Sequence, residues 1–183
     1  MSRVARRPRP RLTKKVERNI KMLWHWGSVS DYISRPTVWL RDEAERLNGE
    51  AEGLLRVVEQ LEEWYSPRLA EELEHGFSKF LSSALDSVDL MREYLGRVRK
   101  MLCRYVFNTA EDCDPSALSP WFQSVEELIE ELGGVVKRYA TEAADRGRAV
   151  RDVHAVVSRL REAVRNLFED LDRRIYIADP GRF

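Results

Sequence analysis

The sequence predicts an all-α fold: an elongated bundle of long antiparallel helices arranged as helical hairpins, preceded by an extended basic N-terminal arm. Three observations carry this. Apolar residues recur every seven positions over stretches of up to about 40 residues, the period of a helix seam. Ser-Pro pairs at Ser66-Pro67 and Ser119-Pro120 provide a cap and a first-turn proline, the signal that starts a new helix. No stretch shows the period-two alternation of a half-buried strand.

Residues 1–12 form the arm. It contains Arg6-Arg7-Pro8-Arg9-Pro10-Arg11, in which each proline fixes φ and pushes the preceding residue toward extended geometry. With almost nothing apolar to bury, it should run as a polyproline-II-like strand of about 3.1 Å per residue. Thr13 is the N-cap of a first helix over about 13–26. There Val16, Ile20, Leu23 and Trp24 follow helical spacing until Gly27-Ser28. A second helix is expected over about 36–65, with Pro36 at its first position. Leu40, Leu47, Leu54 and Leu61 form one register of its seam and Ala44, Ala51, Val58 and Tyr65 the other, with Asn48-Gly49 a weak point inside it.

The third helix, about 67–106, has a seam of Ala70, Phe77, Ala84, Met91, Val98 and Tyr105, doubled by Leu73, Leu81, Val88, Leu95 and Leu102. Residues 107–118, with Asn108, Asp112, Asp114 and Pro115, read as a loop. A fourth helical region over about 119–176 opens at Ser119-Pro120 or at Ser124, which stands at capping-box spacing from Glu127. Val125, Leu132, Tyr139, Val153, Leu160 and Leu167 run in phase with Leu128, Val135, Val150, Val157, Val164 and Leu171. Gly133-Gly134 and Gly147 are candidate breaks near 133 or 147, so one very long helix or two shorter ones fit. Residues 177–183 form a tail with a turn at Asp179-Pro180-Gly181. Residues 13–176 thus make one helical domain, a size at which folding buries about 70% of the chain's surface.

Function enters through charge. The chain has 31 Lys and Arg against 31 Asp and Glu, a formal net charge of zero. Residues 1–22, however, hold nine cations (Arg3, Arg6, Arg7, Arg9, Arg11, Lys14, Lys15, Arg18 and Lys21) and one carboxylate, Glu17, leaving +8 there and −8 on the rest. A segment this basic, without a core of its own, matches the phosphate backbone of a nucleic acid, with a salt slope of about −0.9 per phosphate contacted. Arginine predominates, and its planar fork suits bidentate phosphate contact. Such contacts position a protein on a duplex without reading its sequence.

Arg97, Lys100 and Arg104 share a face near the end of the third helix and extend this candidate set; complementing the helix dipole is their other reading. Trp24, His25 and Trp26 could stack on bases or pack the first helix against the bundle. Residues 41–75 carry eleven acidic against four basic side chains, a surface expected to point away from phosphate, and one to which the arm of an adjacent copy could bind instead.

Other classes find little purchase. No apolar run approaches the roughly 18 residues of a membrane span. The basic N-terminus lacks a signal peptide's apolar segment, so a soluble cytoplasmic protein is expected. No phosphate-cradling glycine loop, nucleophile elbow or metalloprotease motif occurs, so neither catalytic residues nor a cofactor is expected. Glu72 and His75 have the Glu-x-x-His spacing of di-iron bundles, but Arg151 stands three residues before His154, so the second copy is missing and no metal site is expected. Two cysteines are too few for a four-cysteine zinc site. A disulfide between Cys103 and Cys113 would clip the third helix to the following loop, and the sequence leaves open whether it forms.

The arm from Arg3 to Lys21, the helix ending near Trp26, and the hairpin of helices 36–65 and 67–105 together resemble the major capsid (nucleocapsid) proteins of filamentous archaeal double-stranded DNA viruses, of the rudivirus, lipothrixvirus and tristromavirus type. In that family basic N-terminal segments and helices surround the DNA and helical bundles form the outer wall, usually as homo- or heterodimers. The resemblance implies a non-enzymatic, sequence-independent structural protein that assembles as a filament around double-stranded DNA with itself or a paralogous capsid protein. Its place would be the virion, assembled in the host cytoplasm. Four Asn and two Gln are few, as in chains from hot habitats. The alternative is a helical scaffold subunit of an intracellular nucleoprotein complex, its arm bound to RNA or a partner protein.

Overall fold

The computed structural model describes residues 12–25, 27–108, 113–142 and 144–175, and side chains from residue 33 onward together with those of 12–22. The arm (1–11), with Arg3, Arg6, Arg7, Arg9 and Arg11, lies outside them. So do the tail 177–183, Asp112, and the side chains of Trp24, His25 and Trp26. Among the described residues the protein is all-α, with α1 (Lys14–His25), α2 (Gly27–Glu63), α3 (Pro67–Met101), α4 (Trp121–Thr141) and α5 (Arg146–Ile175). A π-helical turn, Leu102–Val106, continues α3, and a single 3-10 turn, Pro115–Ala117, precedes α4. No helix there is long and apolar enough to cross a membrane.

The helices begin where side-chain oxygens take up their free N–H groups. Thr13 Oγ1 accepts from Val16 N at 3.3 Å to start α1, and Ser66 Oγ accepts from Leu69 N at 3.4 Å to start α3 with Pro67 behind it. Ser119 Oγ accepts from Trp121 N at 3.2 Å and donates to Asp170 at 2.7 Å, so α4 opens at Ser119-Pro120 and Ser124 falls inside it.

Three expectations need correction. Pro36 is not at the first position of α2 but well inside it, since the helix starts at Gly27. The proline removes one backbone donor, but Ile33, Pro36, Thr37 and Leu40 are all buried, and that burial outweighs the local preference. At the other end α2 stops at Glu63, so Tyr65 leaves the seam and is 72% exposed. On α3 the π turn, closed by Phe107 N donating to Leu102 O at 3.0 Å, inserts one extra residue. Val106 therefore takes the core position expected of Tyr105, which is only half-buried. Of the alternatives for the fourth region, the structure has two helices, parted at 142–145 beside the candidate break near 147 and unbroken at Gly133-Gly134. Glu142 is extended and Asp145 caps α5 through Arg148 N at 3.3 Å, whereas Gly133 is buried within α4, where its missing Cβ would lie 3.5 Å from Val88.

Helices α2, α3, α4 and α5 pack in cyclic order, α2 and α4 each lying between α3 and α5. Side-chain pairs give the direction. Glu43 meets Ser87 while Arg46 meets Ser83; Glu45 meets Arg161 while Glu62 meets Arg151; Glu131 meets Arg159 while Tyr139 meets Asp152. Numbers rise on one helix as they fall on the next, so neighbours run antiparallel. One end of the bundle thus holds the α2–α3 turn and the α4–α5 connection, and the other holds the π turn, the 3-10 turn, the start of α2 and the end of α5.

The core along the shared axis is one cluster whose largest fully buried side chains include Phe77, Phe122, Met91, Leu40, Leu132, Leu160 and Leu167. Among the described residues one side-chain amide is buried beside it. Asn48, 3% exposed, donates to Glu52 at 3.1 Å and accepts from Ser158 Oγ at 3.3 Å, tying α2 to α5 at one register. Cys103 and Cys113 are bonded, with Cα atoms 5.4 Å apart, and hold the segment after α3 against the π turn.

Replacing Leu160, fully buried in α5, by alanine should lower stability by about 2–5 kcal/mol in denaturant titration through lost transfer energy and a cavity. Gly134 has open space where a Cβ would go and sits inside α4, so Gly134→Ala should raise stability by about 0.5–1 kcal/mol in the same assay. Cys113→Ser, which opens the covalent loop, should cost about 2–3 kcal/mol, read against the oxidised parent.

Candidate nucleic-acid interface

Helix α1 is short and could not hold itself together in water. It is held by its contacts with the bundle. Val16 and Ile20, one turn apart, are buried, and Leu12 packs against the same cluster. Asn19 Nδ2 donates to the carbonyl of Val106 at 2.6 Å. That oxygen belongs to the last turn of the π segment and has no further turn to bond, so an amide side chain from outside satisfies it. Through this bond α1 is fixed at the π-turn end of the molecule, packed also on α2 and α5.

With Val16 and Ile20 facing inward, Lys14, Lys15, Arg18 and Lys21 are all exposed. Lys14, Arg18 and Lys21 fall on one face by i, i+4, i+7 spacing, and none of the four is ion-paired among the described residues. Their arrangement is unfavourable for the helix itself. The N-terminal turn of α1 is the positive end of its dipole, where Lys14 and Lys15 are the wrong sign and Glu17 alone is the right one.

Charges on the bundle are treated differently. Arg46 bonds Glu43 and Glu50 at 2.5 and 2.6 Å, Arg161 and Arg165 share Glu45 at 2.7 and 2.6 Å, and Arg92 holds Glu130 at 2.6 Å. The hydrogen bond from Arg46 holds the Glu43 carboxyl below its ordinary range against the effect of burial, with Ser87 assisting. Burial would raise the Glu45 carboxyl, but Arg161 and Arg165 outweigh it and the group is lowered. These arginines are met by carboxylates, Arg161 and Arg165 across from α5 to α2 and Arg92 across from α3 to α4.

The second candidate cluster divides along this line. Arg97 is bonded to Glu93 at 2.6 Å within α3. Lys100 is exposed without an ion pair among the described residues, and Arg104 is exposed in the π turn, its guanidinium 5.3 Å from the Tyr105 ring. The extra residue of the π turn takes Arg104 out of the simple i, i+3, i+7 row. Lys100 and Arg104 nevertheless lie at the end of α3 that carries α1, because Asn19 is anchored only two residues beyond Arg104. The fold thus brings Lys14, Lys15, Arg18, Lys21, Lys100 and Arg104 to one end, and spends Arg97 internally.

Asn19 is the residue that sequence reading passed over. A lone amide on a basic helix carries no periodic signal, and its partner is a carbonyl freed by an irregular turn. Elsewhere, Glu72 and His75 are both exposed on α3, and His154 is engaged by Ser158 at 3.3 Å. No group of three or more His, Cys, Asp or Glu side chains able to hold a metal ion occurs among the described residues. Comparison of the chain with protein-family models, with curated proteins and with solved structures gives no match.

Proposed function

We propose that the protein is a non-enzymatic, sequence-independent nucleic-acid-binding structural protein that coats double-stranded DNA as the subunit of a filamentous capsid. The observation that carries the reading is the contrast in charge use: Lys14, Lys15, Arg18 and Lys21 stand exposed on α1 without an ion pair among the described residues, while the bundle's arginines are largely met by carboxylates. A helix that carries unpaired cations on its own positive end is stabilised by an external polyanion, and a duplex supplies one phosphate charge per about 1.7 Å. The arm continues the same charge from Arg11 to Arg3 and adds five guanidiniums to the footprint. Lys100 and Arg104 lie at the same end. A filament of such subunits places its α1 ends against the duplex and its acidic α2–α3 surface outward, assembled in the cytoplasm of the host cell and carried in the virion.

Duplex DNA titrated against the full chain at salt concentrations from about 50 to 200 mM should give a log–log slope near −7 if arm and α1 together engage about eight phosphates. Converting Lys14, Lys15, Arg18 and Lys21 to alanine should flatten that slope by about 3 to 4 while leaving the bundle's thermal unfolding intact. An unchanged slope in this variant would remove α1 from the interface, and a flat slope in the parent would sink the DNA reading. Tighter binding to RNA than to duplex DNA would point to the nucleoprotein-scaffold alternative.

A further inference from the structure

The α2–α3 turn is short, and nothing in its geometry calls for large side chains. Ser66 caps α3, Trp64 N closes onto Gln60 O at 3.1 Å, and the two residues between helix end and cap are Trp64 and Tyr65. They are 73% and 72% exposed, the most exposed large apolar side chains among the described residues. Other exposed aromatics have neighbours, as Trp39 has Tyr94 at 5.6 Å between ring centroids.

Carboxylates surround this aromatic tip: Glu59, Glu62 and Glu63 on the last turns of α2, and Glu71, Glu72 and Glu74 on the first turns of α3. Within the acidic stretch 41–75, Glu43, Glu45 and Glu50 are taken up by Arg46, Arg161 and Arg165. At the tip, Glu62, Glu72 and Glu74 make exposed pairs with Arg151, Arg68 and Arg146, and Glu63 and Glu71 make no ion pair among the described residues. Exposed pairs of this kind contribute little and exchange readily. Within this acidic surface the tip is where carboxylates stand beside exposed aromatic rings.

We propose that this tip is a docking site for the arm segment Arg6 to Arg11 of a second copy of the chain. The chemistry of the two is complementary. Proline rings of an extended segment pack flat on exposed Trp and Tyr faces, guanidiniums lie over the same rings, and the flanking carboxylates take the remaining N–H donors. The arm is strongly positive, and residues 59–75 carry six carboxylates against one arginine, Arg68.

The contact must be between copies. Asn19 is anchored on Val106, 40 residues along α3 from Ser66, a distance of about 60 Å at 1.5 Å per residue. From Asn19 back to Arg9 the chain spans at most about 26 Å, five helical steps followed by five extended ones. A copy's arm cannot reach its own tip, but it can reach a neighbour's. Each copy then offers an arm at one end and a tip at the other, a head-to-tail joint that extends into an open chain.

The inference rests on the reading of the arm as the chain's electrostatic ligand and adds a protein acceptor for it. Tip and phosphates compete for the same guanidiniums. A duplex, with its dense and continuous charge, displaces the tip, so the joint links copies before nucleic acid is present.

The test uses two full-length variants, both altered only at positions exposed or outside the bundle. One carries Trp64→Ala with Tyr65→Ala, and the other Arg6, Arg7, Arg9 and Arg11 each changed to serine. In sedimentation velocity at low salt without nucleic acid, the parent should form concentration-dependent oligomers. Each variant alone should associate at least tenfold more weakly. Mixed, the two should give a 1:1 dimer that grows no further, because one supplies only a tip and the other only an arm. A parent that stays monomeric, a tip variant that associates like the parent, or a mixture without dimer would each overturn the proposal. Duplex added to the parent should dissolve the oligomers in proportion to the sites it offers. The tip variant should bind duplex with the parent's salt slope, so loss of DNA binding and loss of the joint are read separately.

Discussion

Four amphipathic helices can hide their apolar stripes only by turning them toward a common axis, and the rest of this molecule depends on that closure. Leu40 and Leu47 of α2, Met91 of α3, Leu132 of α4 and Leu160 and Leu167 of α5 are each removed from solvent by the others. Burial is worth roughly 25 cal/mol per Å² of apolar surface, and no helix here could realise it alone. The antiparallel order follows from short connections. A helix that ends at Glu63 and restarts at Pro67 must double back. Once the axis is closed, the outer faces are left to charge, and Asn48 at the α2–α5 seam makes one register cheaper than its neighbours.

The outer faces use charge in two ways. Between helices, arginine and carboxylate meet in pairs that cross from one element to the next, as Arg92 does to Glu130 and Arg146 to Glu74. Each pair contributes at most about 1 kcal/mol in such exposed settings, and together they take up many of the bundle's arginines. On α1 the cations have no such counterparts among the described residues. Zero net charge therefore joins two unlike parts, +8 over residues 1–22 and −8 over the rest. The aromatic tip at the opposite end is the third element, apolar where the rest of the surface is ionic.

Much of the fold was legible in the sequence because a seam is a periodic signal. Leucines and valines every seven residues gave the faces of α2, α3 and α5, and the Ser-Pro pairs gave two of the helix starts. Legibility failed where a local rule was overridden by packing or by an irregular turn. Pro36 looks like a helix start and is an interior residue, because Ile33 and Thr37 on either side of it are buried. Tyr105 looks like a seam residue, yet one extra residue in the π turn hands its place to Val106. Tyr65 continues the heptad arithmetic past the end of the helix that gave it meaning. In the candidate site, Lys14 to Lys21 were readable as charge, but their exposure and their lack of partners were not. The Asn19 bond that aims them has no sequence signature at all.

The lysines in the first turn of α1 have a thermodynamic consequence. Because they oppose the helix's own dipole, α1 is a helix under electrostatic load, retained among the described residues by the buried Val16 and Ile20 and by the Asn19 amide bond. Any polyanion that neutralises the load stabilises the helical form over the frayed one, and by linkage the helical form binds the polyanion more tightly. Local order and ligand occupancy in α1 are in this way a single equilibrium, and salt, which screens both the load and the ligand, moves it from two directions at once.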